Sequence, residues 1–220
     1  MRRRSDVLPT QTTLSVATGA VVDMSGAEQR VAALTGAGAI ELDAGILTIA
    51  GGTNQFHGTL TGAGTFAVRD GAAQTLTGAG TFNGLVVVSN ATLFVENVNG
   101  AITAADSAVV VQSDGRIGGY GTIGGNLSIE NGGGVAVGAV PGALTITGAV
   151  TLGATGTVTL PPEFTGGVLT LLNAASVTAP DGMDGWQVEP AQPSMAVAFR
   201  VSETAFSVSV FQRGTLISIR

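Results

Sequence analysis

The pentapeptide Leu34-Thr35-Gly36-Ala37-Gly38 occurs three times in this chain, and the same five letters return at residues 60–64 and 76–80. The copies start 26 and then 16 residues apart (60 minus 34, and 76 minus 60). Strand-forming residues stand on both sides of each copy. A glycine-rich motif that recurs at short, uneven intervals between strands predicts the coils of a β-solenoid, with loops of variable length between them.

The composition favours the same fold class. The 220 residues include 34 glycines, 11% of the residues are charged, and the 45% hydrophobic share contains few aromatic side chains. The chain is too apolar for a disordered protein, and its glycines lack the three-residue period of collagen. Small and β-branched residues suit tightly wound coils with a narrow interior. No segment has apolar residues at helical spacing, so we expect an all-β protein.

Charge and cysteine content exclude several classes of site and partner. The formal net charge is −6, and all nine basic residues are arginines, three of them at positions 2–4. Because no other basic patch exists, we expect no nucleic-acid partner. Cysteine is absent, which excludes disulfides and thiolate metal sites. No apolar run reaches about 18 residues, so we expect no membrane insertion, and residues 1–9 do not form a signal peptide.

The chain is predicted to contain three segments. Residues 1–11 form a disordered or extended N-terminal segment, residues 12–160 form parallel β-helix repeats, and residues 161–220 form terminal rungs and a β cap. The third segment begins at Pro161-Pro162, after which glycine becomes scarcer. An open last rung recruits other chains, so we expect a small cap with antiparallel pairing. Alternation predicts strands that include 31–34, 144–147, 150–152, 195–201, 206–211 and 215–219.

Much of the chain resembles a known repeat family. Residues 14–26, 31–38, 45–52 and 56–66 look like the autotransporter-associated β-strand repeat, and residues 118–148 look like its other common form, found near the end of passenger domains. The resemblance covers roughly residues 12–160. It implies a right-handed parallel β-helix in a secreted or surface-displayed bacterial protein, of a family made up mostly of adhesins, stalks and repeat scaffolds. Residues 161–220 are too few for a membrane barrel of even eight strands.

Few residues suggest chemistry, and we predict no catalytic, cofactor-binding or metal residue. Residues 119–124 match G-x-G-x-x-G, but a turn and a strand follow where a dinucleotide site needs a helix. Glu41 and Asp43 would lie on one face of a strand, where paired carboxylates could bind Ca²⁺ or hydrolyse a glycosidic bond. A solvated strand face is the simpler interpretation. For His57, the single histidine, we expect a coil corner or an exposed position, since no nucleophile motif accompanies it.

Threonines cluster near the end of the predicted β-helix. At alternating positions they can form a flat outward ladder of the kind that ice-binding solenoids use. Ordinary β-surface chemistry explains them more simply, because threonine is a good strand former. The cluster comprises Thr145, Thr147, Thr151, Thr155, Thr157 and Thr159.

The sequence thus favours a non-enzymatic structural or adhesive β-helix module, extracellular or displayed on a bacterial surface. We expect self-association into filaments or homo-oligomers, with a host or matrix glycan or protein as a further partner. One alternative is a carbohydrate-binding or polysaccharide-degrading β-helix, which requires Glu41, Asp43, His57, Arg69 and Asp70 to line one groove. Another is a phage fibre segment, which would be an intertwined trimer.

Overall fold

A computed structural model describes the protein over residues 5–140, 142–180, 182–191 and 194–212, and the predicted strand at 215–219 lies outside these residues. Within them the secondary structure consists of β-strands, with no helix. The strands are β1 Thr13–Val16, β2 Val21–Asp23, β3 Glu28–Val31, β4 Ala33–Gly36, β5 Ala39–Glu41, β6 Ile46–Ile49, β7 Thr53–Phe56, β8 Thr59–Thr61, β9 Thr65–Arg69, β10 Ala73–Leu76, β11 Leu85–Ser89, β12 Thr92–Val95, β13 Ala108–Val111, β14 Arg116–Gly119, β15 Thr122–Ile123, β16 Asn126–Ile129, β17 Gly134–Ala136, β18 Leu144–Leu152, β19 Thr155–Thr159, β20 Gly167–Thr178, β21 Gly185–Glu189, β22 Met195–Val201 and β23 Ala205–Gln212.

The strands form three sheets around a common interior. Sheet A has the order β22-β23-β20-β18-β16-β13-β11-β9-β6-β3, sheet B the order β1-β4-β7-β10-β12-β14-β17-β19-β21, and sheet C the order β2-β5-β8. In the first three coils the chain passes from sheet B to sheet C, then to sheet A, and on to sheet B of the next coil; in later coils a connection takes the place of the sheet C strand, and β15 pairs with β18 of sheet A. We name the three bends the A–B, B–C and C–A corners. Neighbouring strands are parallel from β1 to β21. The prediction of a parallel β-helix is confirmed.

The coil period is close to 20 residues in the first four coils. Thr13 pairs with Ala33, and Thr53 pairs with Ala73 (33 minus 13, and 73 minus 53). The three LTGAG copies do not follow this period, because two of them end strands of sheet B and the copy at 60–64 ends a strand of sheet C. Their uneven spacing therefore reflects two different corners, whereas the spacing alone suggested loops of variable length.

Glycines at the corners let successive coils approach backbone to backbone. At the B–C corner, a methyl group on Gly58 would lie well inside van der Waals contact of the Gly38 carbonyl oxygen, and one on Gly78 would meet the Gly58 carbonyl in the same way. A residue with a side chain cannot occupy such a position without displacing the neighbouring coil. The C–A corner repeats this arrangement with another stack of three, namely Gly45, Gly64 and Gly84.

The interior is filled by ladders of apolar side chains that repeat from coil to coil. One ladder follows the inner face of sheet A, and each of its members is at most 1% exposed. Two glutamines among the described residues interrupt the apolar interior. Gln29 lies at the first coil, and Gln74 is fully buried with its Oε1 atom lacking a hydrogen-bond partner among the described residues. The sheet A ladder consists of Leu47, Phe66, Val86, Val109, Leu127 and Val150.

The N-terminal segment covers the open edge of β3. Ser5 pairs with Glu28, and the Asp6 backbone N–H donates to the Glu28 carbonyl at 2.8 Å. The Gln29 side chain then behaves like a backbone peptide. Its Oε1 accepts from the Leu8 N–H at 2.9 Å, and its Nε2 donates to the Leu8 carbonyl at 3.0 Å. Backbone groups that would otherwise be unpaired at this end of sheet A are therefore satisfied.

An antiparallel cap closes the other end of sheet A. Strand β20 pairs in parallel with β18 along one edge and antiparallel with β23 along the other, and β23 pairs antiparallel with β22. Under this cap the rings of Trp186 and Phe206 meet edge to face at 5.0 Å between centroids. The Trp186 ring fills the space left by the absent side chain of Gly156, and its Nε1–H donates to the Gly153 carbonyl at 2.9 Å. The predicted antiparallel cap is confirmed.

Two strand predictions differ from the structure. The predicted strand 31–34 is divided by the A–B corner at Ala32, whose N–H donates to the Thr12 carbonyl. Val31 belongs to β3 and Leu34 to β4, and both side chains point into the interior. An apolar run that crosses a corner therefore looks like a single strand in the sequence. Conversely, the predicted strands 144–147 and 150–152 form the single strand β18, with a register shift between Ile146 and Ala149 that absorbs the C–A bend.

Replacing Trp186 tests the cap. We expect Trp186→Ala to lower the free energy of unfolding by about 3–5 kcal/mol, because it leaves a cavity over Gly156 and removes the contact with Phe206. Trp186→Phe keeps most of the ring and loses the Nε1–H bond, so it should cost about 1–2 kcal/mol. Urea denaturation followed by circular dichroism measures both changes. Equal losses for the two variants would contradict the packing role.

Candidate functional site

The five residues that a carbohydrate-active groove requires lie at three different corners. Glu41 ends a strand of sheet C and Asp43 lies at the following C–A corner. His57 lies at the B–C corner after β7, Arg69 is the last residue of β9, and Asp70 lies at the A–B corner that follows. Each corner forms a separate ridge of the coil. The structure therefore does not bring these side chains together into one groove.

A third carboxylate joins Glu41 and Asp43. Asp23 pairs with Glu41 on the adjacent coil, and one carboxylate oxygen from each of the three residues lies within 4.8 Å of the others. All three side chains are exposed, and one Asp23 oxygen accepts from the Ser25 N–H at 2.7 Å. The sequence predicted the pair but missed Asp23. The coil period was the available signal, since Asp23 precedes Glu41 by 18 residues (41 minus 23).

The geometry of this acidic cluster limits what it can bind. Oxygen ligands suit Ca²⁺, which takes about 6–8 of them, and three carboxylates leave several positions to water. No buried polar group supports the cluster, and no fourth carboxylate is grouped with it among the described residues. The arrangement fits the solvated face predicted for Glu41 and Asp43, with like charges stacked on consecutive coils.

His57 occupies an exposed corner, as predicted. Its Nδ1 atom lies 2.8 Å from the Thr77 Oγ1 of the next coil, and its backbone N–H donates to the Gly36 carbonyl of the preceding coil. The histidine thus links three coils along the B–C corner. In the described part of the chain its side-chain partner is this threonine hydroxyl, and no carboxylate is hydrogen-bonded to the ring.

The Arg69–Asp70 corner takes part in an ion pair between coils. Asp70 has a positive φ of 56°, which turns the chain, and its carboxylate lies 2.8 Å from the Arg30 guanidinium. The two side chains are 42% and 53% exposed, so the pair contributes at most about 1 kcal/mol to stability. The ion pair connects residues of different coils, so a structural role explains it.

The glycine-rich segment 119–124 and the threonine cluster also have structural explanations. Gly119 has a positive φ of 109°, and strand β15 follows it where a dinucleotide site would need a helix. The threonines divide between two faces. Thr145 and Thr151 lie on sheet A, whereas Thr157 and Thr159 lie on sheet B. They do not form the single flat array that an ice-binding surface needs.

The surface has one further feature to consider, a shallow depression of about 450 Å³ where sheet A meets the A–B corner. Glu130 is the one titratable group that lines it. Of the residues that the sequence singled out, Thr151 of the threonine cluster contributes to it. Its lining consists of Ser128, Ile129, Glu130, Asn131, Thr151, Leu152 and Gly153.

Comparison with known proteins found no matching family model and no matching curated protein. The resemblance to the autotransporter-associated β-strand repeat therefore stays a prediction. Within the part of the chain that the structure describes, no helix has the length and apolar character needed to cross a bilayer.

Removing one charge tests the interpretation of the acidic cluster. At about 4.8 Å two like charges in water repel by about 1 kcal/mol, so Glu41→Gln should raise the free energy of unfolding by up to that amount at low ionic strength. The gain should disappear in concentrated salt, because the charges are screened. Denaturation at two salt concentrations measures the effect, with Glu203→Gln as the matched control. If Glu41→Gln instead lowers the free energy of unfolding, and calcium stabilises the wild-type protein but not the variant, the cluster is a metal site.

Proposed function

We propose that this chain is a non-enzymatic structural or adhesive module of a secreted or surface-displayed bacterial protein. The observation that carries the proposal is the distribution of its side chains. Apolar ladders fill the interior, and the candidate acids, base and cations lie on separate ridges. Hydrolysis or elimination at a sugar needs such groups to converge on one bond. A stiff rod with capped ends is instead suited to presenting its outer faces to partners.

The outer face of sheet A supports self-association of the module. In strands β6, β9, β11 and β13 most outward positions are aliphatic. Two rows of outward side chains cross these strands, one at positions 46, 65, 85 and 108 and one at positions 48, 67, 87 and 110, and neither row contains a charged residue. The same level of sheet B carries polar residues such as Gln55 and Thr75 at its outward positions. Two of the aliphatic positions, Ala67 and Val87, are buried at 2% and 7% exposure, so the accessible aliphatic side chains of the sheet A face are Ile46, Leu85, Ala108 and Val110.

A second copy of this chain is the occupant that we propose for this face. The outer face of a sheet packs well against another sheet. Ser5 pairs at the β3 edge, and at the other end of sheet A the antiparallel β22–β23 hairpin replaces a parallel coil, which favours side-by-side association over end-to-end continuation of the coils. The four strands β6, β9, β11 and β13, about 4.8 Å apart and four residues long, make a face of about 250 Å². Two copies would bury about 500 Å², an area as small as that of a weak, transient contact. When many copies are displayed on one surface, many such weak contacts form at the same time, and the overall avidity exceeds the affinity of a single contact.

Surface display tests the proposal. The full chain is displayed on a non-adherent bacterium, and cell aggregation and attachment to matrix-coated surfaces are measured. We expect display to increase both. Leu85→Arg should reduce aggregation by about tenfold. In a two-fold contact each of the two copies contributes this arginine, so two unpaired charges would be buried. Gln55→Arg adds the same charge to an exposed position on sheet B and should leave aggregation unchanged.

Other outcomes would contradict the proposal. Release of sugar products from polysaccharides by the purified chain, abolished in Glu41→Gln, would establish an enzyme. A stable intertwined trimer in sedimentation experiments would favour a phage fibre segment. Equal aggregation with and without the displayed chain would remove the support for an adhesive role.

A further inference from the structure

Three asparagines in this chain directly precede glycine, at residues 83–84, 99–100 and 131–132. In such a pair the glycine nitrogen can attack the asparagine side-chain amide, because no Cβ on the glycine hinders the approach. The reaction needs a free amide carbon, a free backbone nitrogen and enough backbone freedom for the two to meet. The three pairs differ in how hydrogen bonds and packing restrain these groups.

The pair at 131–132 is immobilised by hydrogen bonds. Asn131 Oδ1 accepts from the Ala154 N–H at 2.8 Å and lies 3.4 Å from the Thr155 nitrogen. The Gly132 N–H donates to the Thr155 carbonyl at 3.0 Å and lies 3.1 Å from the Thr155 Oγ1. Both reacting groups are therefore engaged with the next coil.

The pair at 83–84 is immobilised by packing. Gly84 belongs to the glycine stack of the C–A corner, where its backbone lies against the Gly64 carbonyl and beneath the Phe82 ring. The Asn83 N–H donates to the Gly62 carbonyl at 2.8 Å, and the Ala108 N–H donates to the Gly84 carbonyl. The rotation that would bring the Gly84 nitrogen onto the Asn83 side chain would displace a coil.

At the pair 99–100 the hydrogen bonds go to the two backbone carbonyls and leave the reacting groups free. It lies at the tip of the long connection between β12 and β13, and both residues are exposed. Within the described residues, neither the Asn99 side chain nor the Gly100 N–H has a hydrogen bond. Gly100 also has a positive φ of 67°, a conformation that is open to glycine and strained for other residues.

We propose that Asn99 is a site of spontaneous deamidation through a cyclic imide. The Gly100 nitrogen forms a bond to the Asn99 Cγ atom, the Cγ–Nδ2 bond breaks, and ammonia leaves with the proton from the Gly100 nitrogen. Water then opens the imide at either carbonyl carbon. Attack at one carbon gives aspartate, and attack at the other gives isoaspartate, in which the backbone runs through the side chain. The inference is independent of the proposed function.

The modification has a structural consequence at the B–C corner. The buried Asn97 side chain donates from Nδ2 to the Gly100 carbonyl at 2.7 Å and lies 3.4 Å from the Asn99 carbonyl oxygen. Its Oδ1 atom accepts from the Thr122 N–H of the next coil at 2.9 Å. Isoaspartate at position 99 lengthens the backbone within the connection that Asn97 holds by hydrogen bonds. It also adds a negative charge to a chain whose formal net charge is already −6. We expect it to loosen the connection without unfolding the coils.

Peptide mapping by mass spectrometry tests the site. The native full-length protein is incubated at mildly alkaline pH, and isoaspartate is quantified at each of the three pairs over time. We expect conversion at Asn99 to be at least about tenfold faster than at Asn83 or Asn131, a difference of about 1.4 kcal/mol in activation free energy. The same chain in urea is the matched control, in which the three rates should become similar.

Two results would overturn the proposal. One is conversion of Asn83 or Asn131 in the native protein as fast as Asn99. The other is an unmodified Asn99 in the native protein after the urea sample has converted at all three pairs. Asn99→Gln should remove the fast phase and leave the unfolding curve unchanged, which separates the chemistry from any effect on folding.

Discussion

The close approach of one coil's backbone to the next at the corners is the constraint on which this structure depends. Coils in a solenoid are held at the strand spacing of about 4.8 Å along the sheets. At the bends the same spacing brings carbonyl oxygens to where a side chain would begin. Stacked glycines at two of the three corners meet this requirement, as Gly38, Gly58 and Gly78 illustrate. A high glycine content is therefore a condition of regular coiling in this chain, not a sign of flexibility.

The same constraint determines how the outer surface can be used. Tight corners keep the coils in register, so each outward row of side chains becomes a straight line along the rod. Asp23 and Glu41 align on sheet C, and Leu85 and Ala108 align on sheet A. Each face thus acquires its own chemistry, acidic in one place and aliphatic in another. Extended faces of this kind support binding over an area more readily than reaction at a point.

Much of the fold could be predicted from the sequence, because strand length, glycine spacing and the change after Pro161 all depend on local interactions. The strands of the cap, such as β22, also followed from simple alternation. The corner at Ala32 could not be predicted in this way, since Val31 and Leu34 are both buried and an apolar run carries no mark of a change of sheet. Strand β20 has no regular alternation because it pairs with two different partners along its length.

The candidate site was less accessible to sequence reasoning than the fold. Which side chains meet depends on the coil period, and the LTGAG copies obscured that period because they occur at two kinds of corner. Reading the chain in steps of about 20 residues would have placed Asp23 beside Glu41 and His57 beside Thr77. It would also have separated Arg69 from Glu41.

The most direct test of the central claim compares two glycine-to-alanine variants, Gly58→Ala and Gly51→Ala. Neither glycine has a positive φ, but a methyl group on Gly58 would collide with the Gly38 carbonyl, whereas one on Gly51 would lie 3.4 Å from the Ala32 carbonyl. Urea denaturation should show a loss of about 3 kcal/mol or more for Gly58→Ala and a change within about 1 kcal/mol for Gly51→Ala. Equal tolerance of both substitutions would contradict the account.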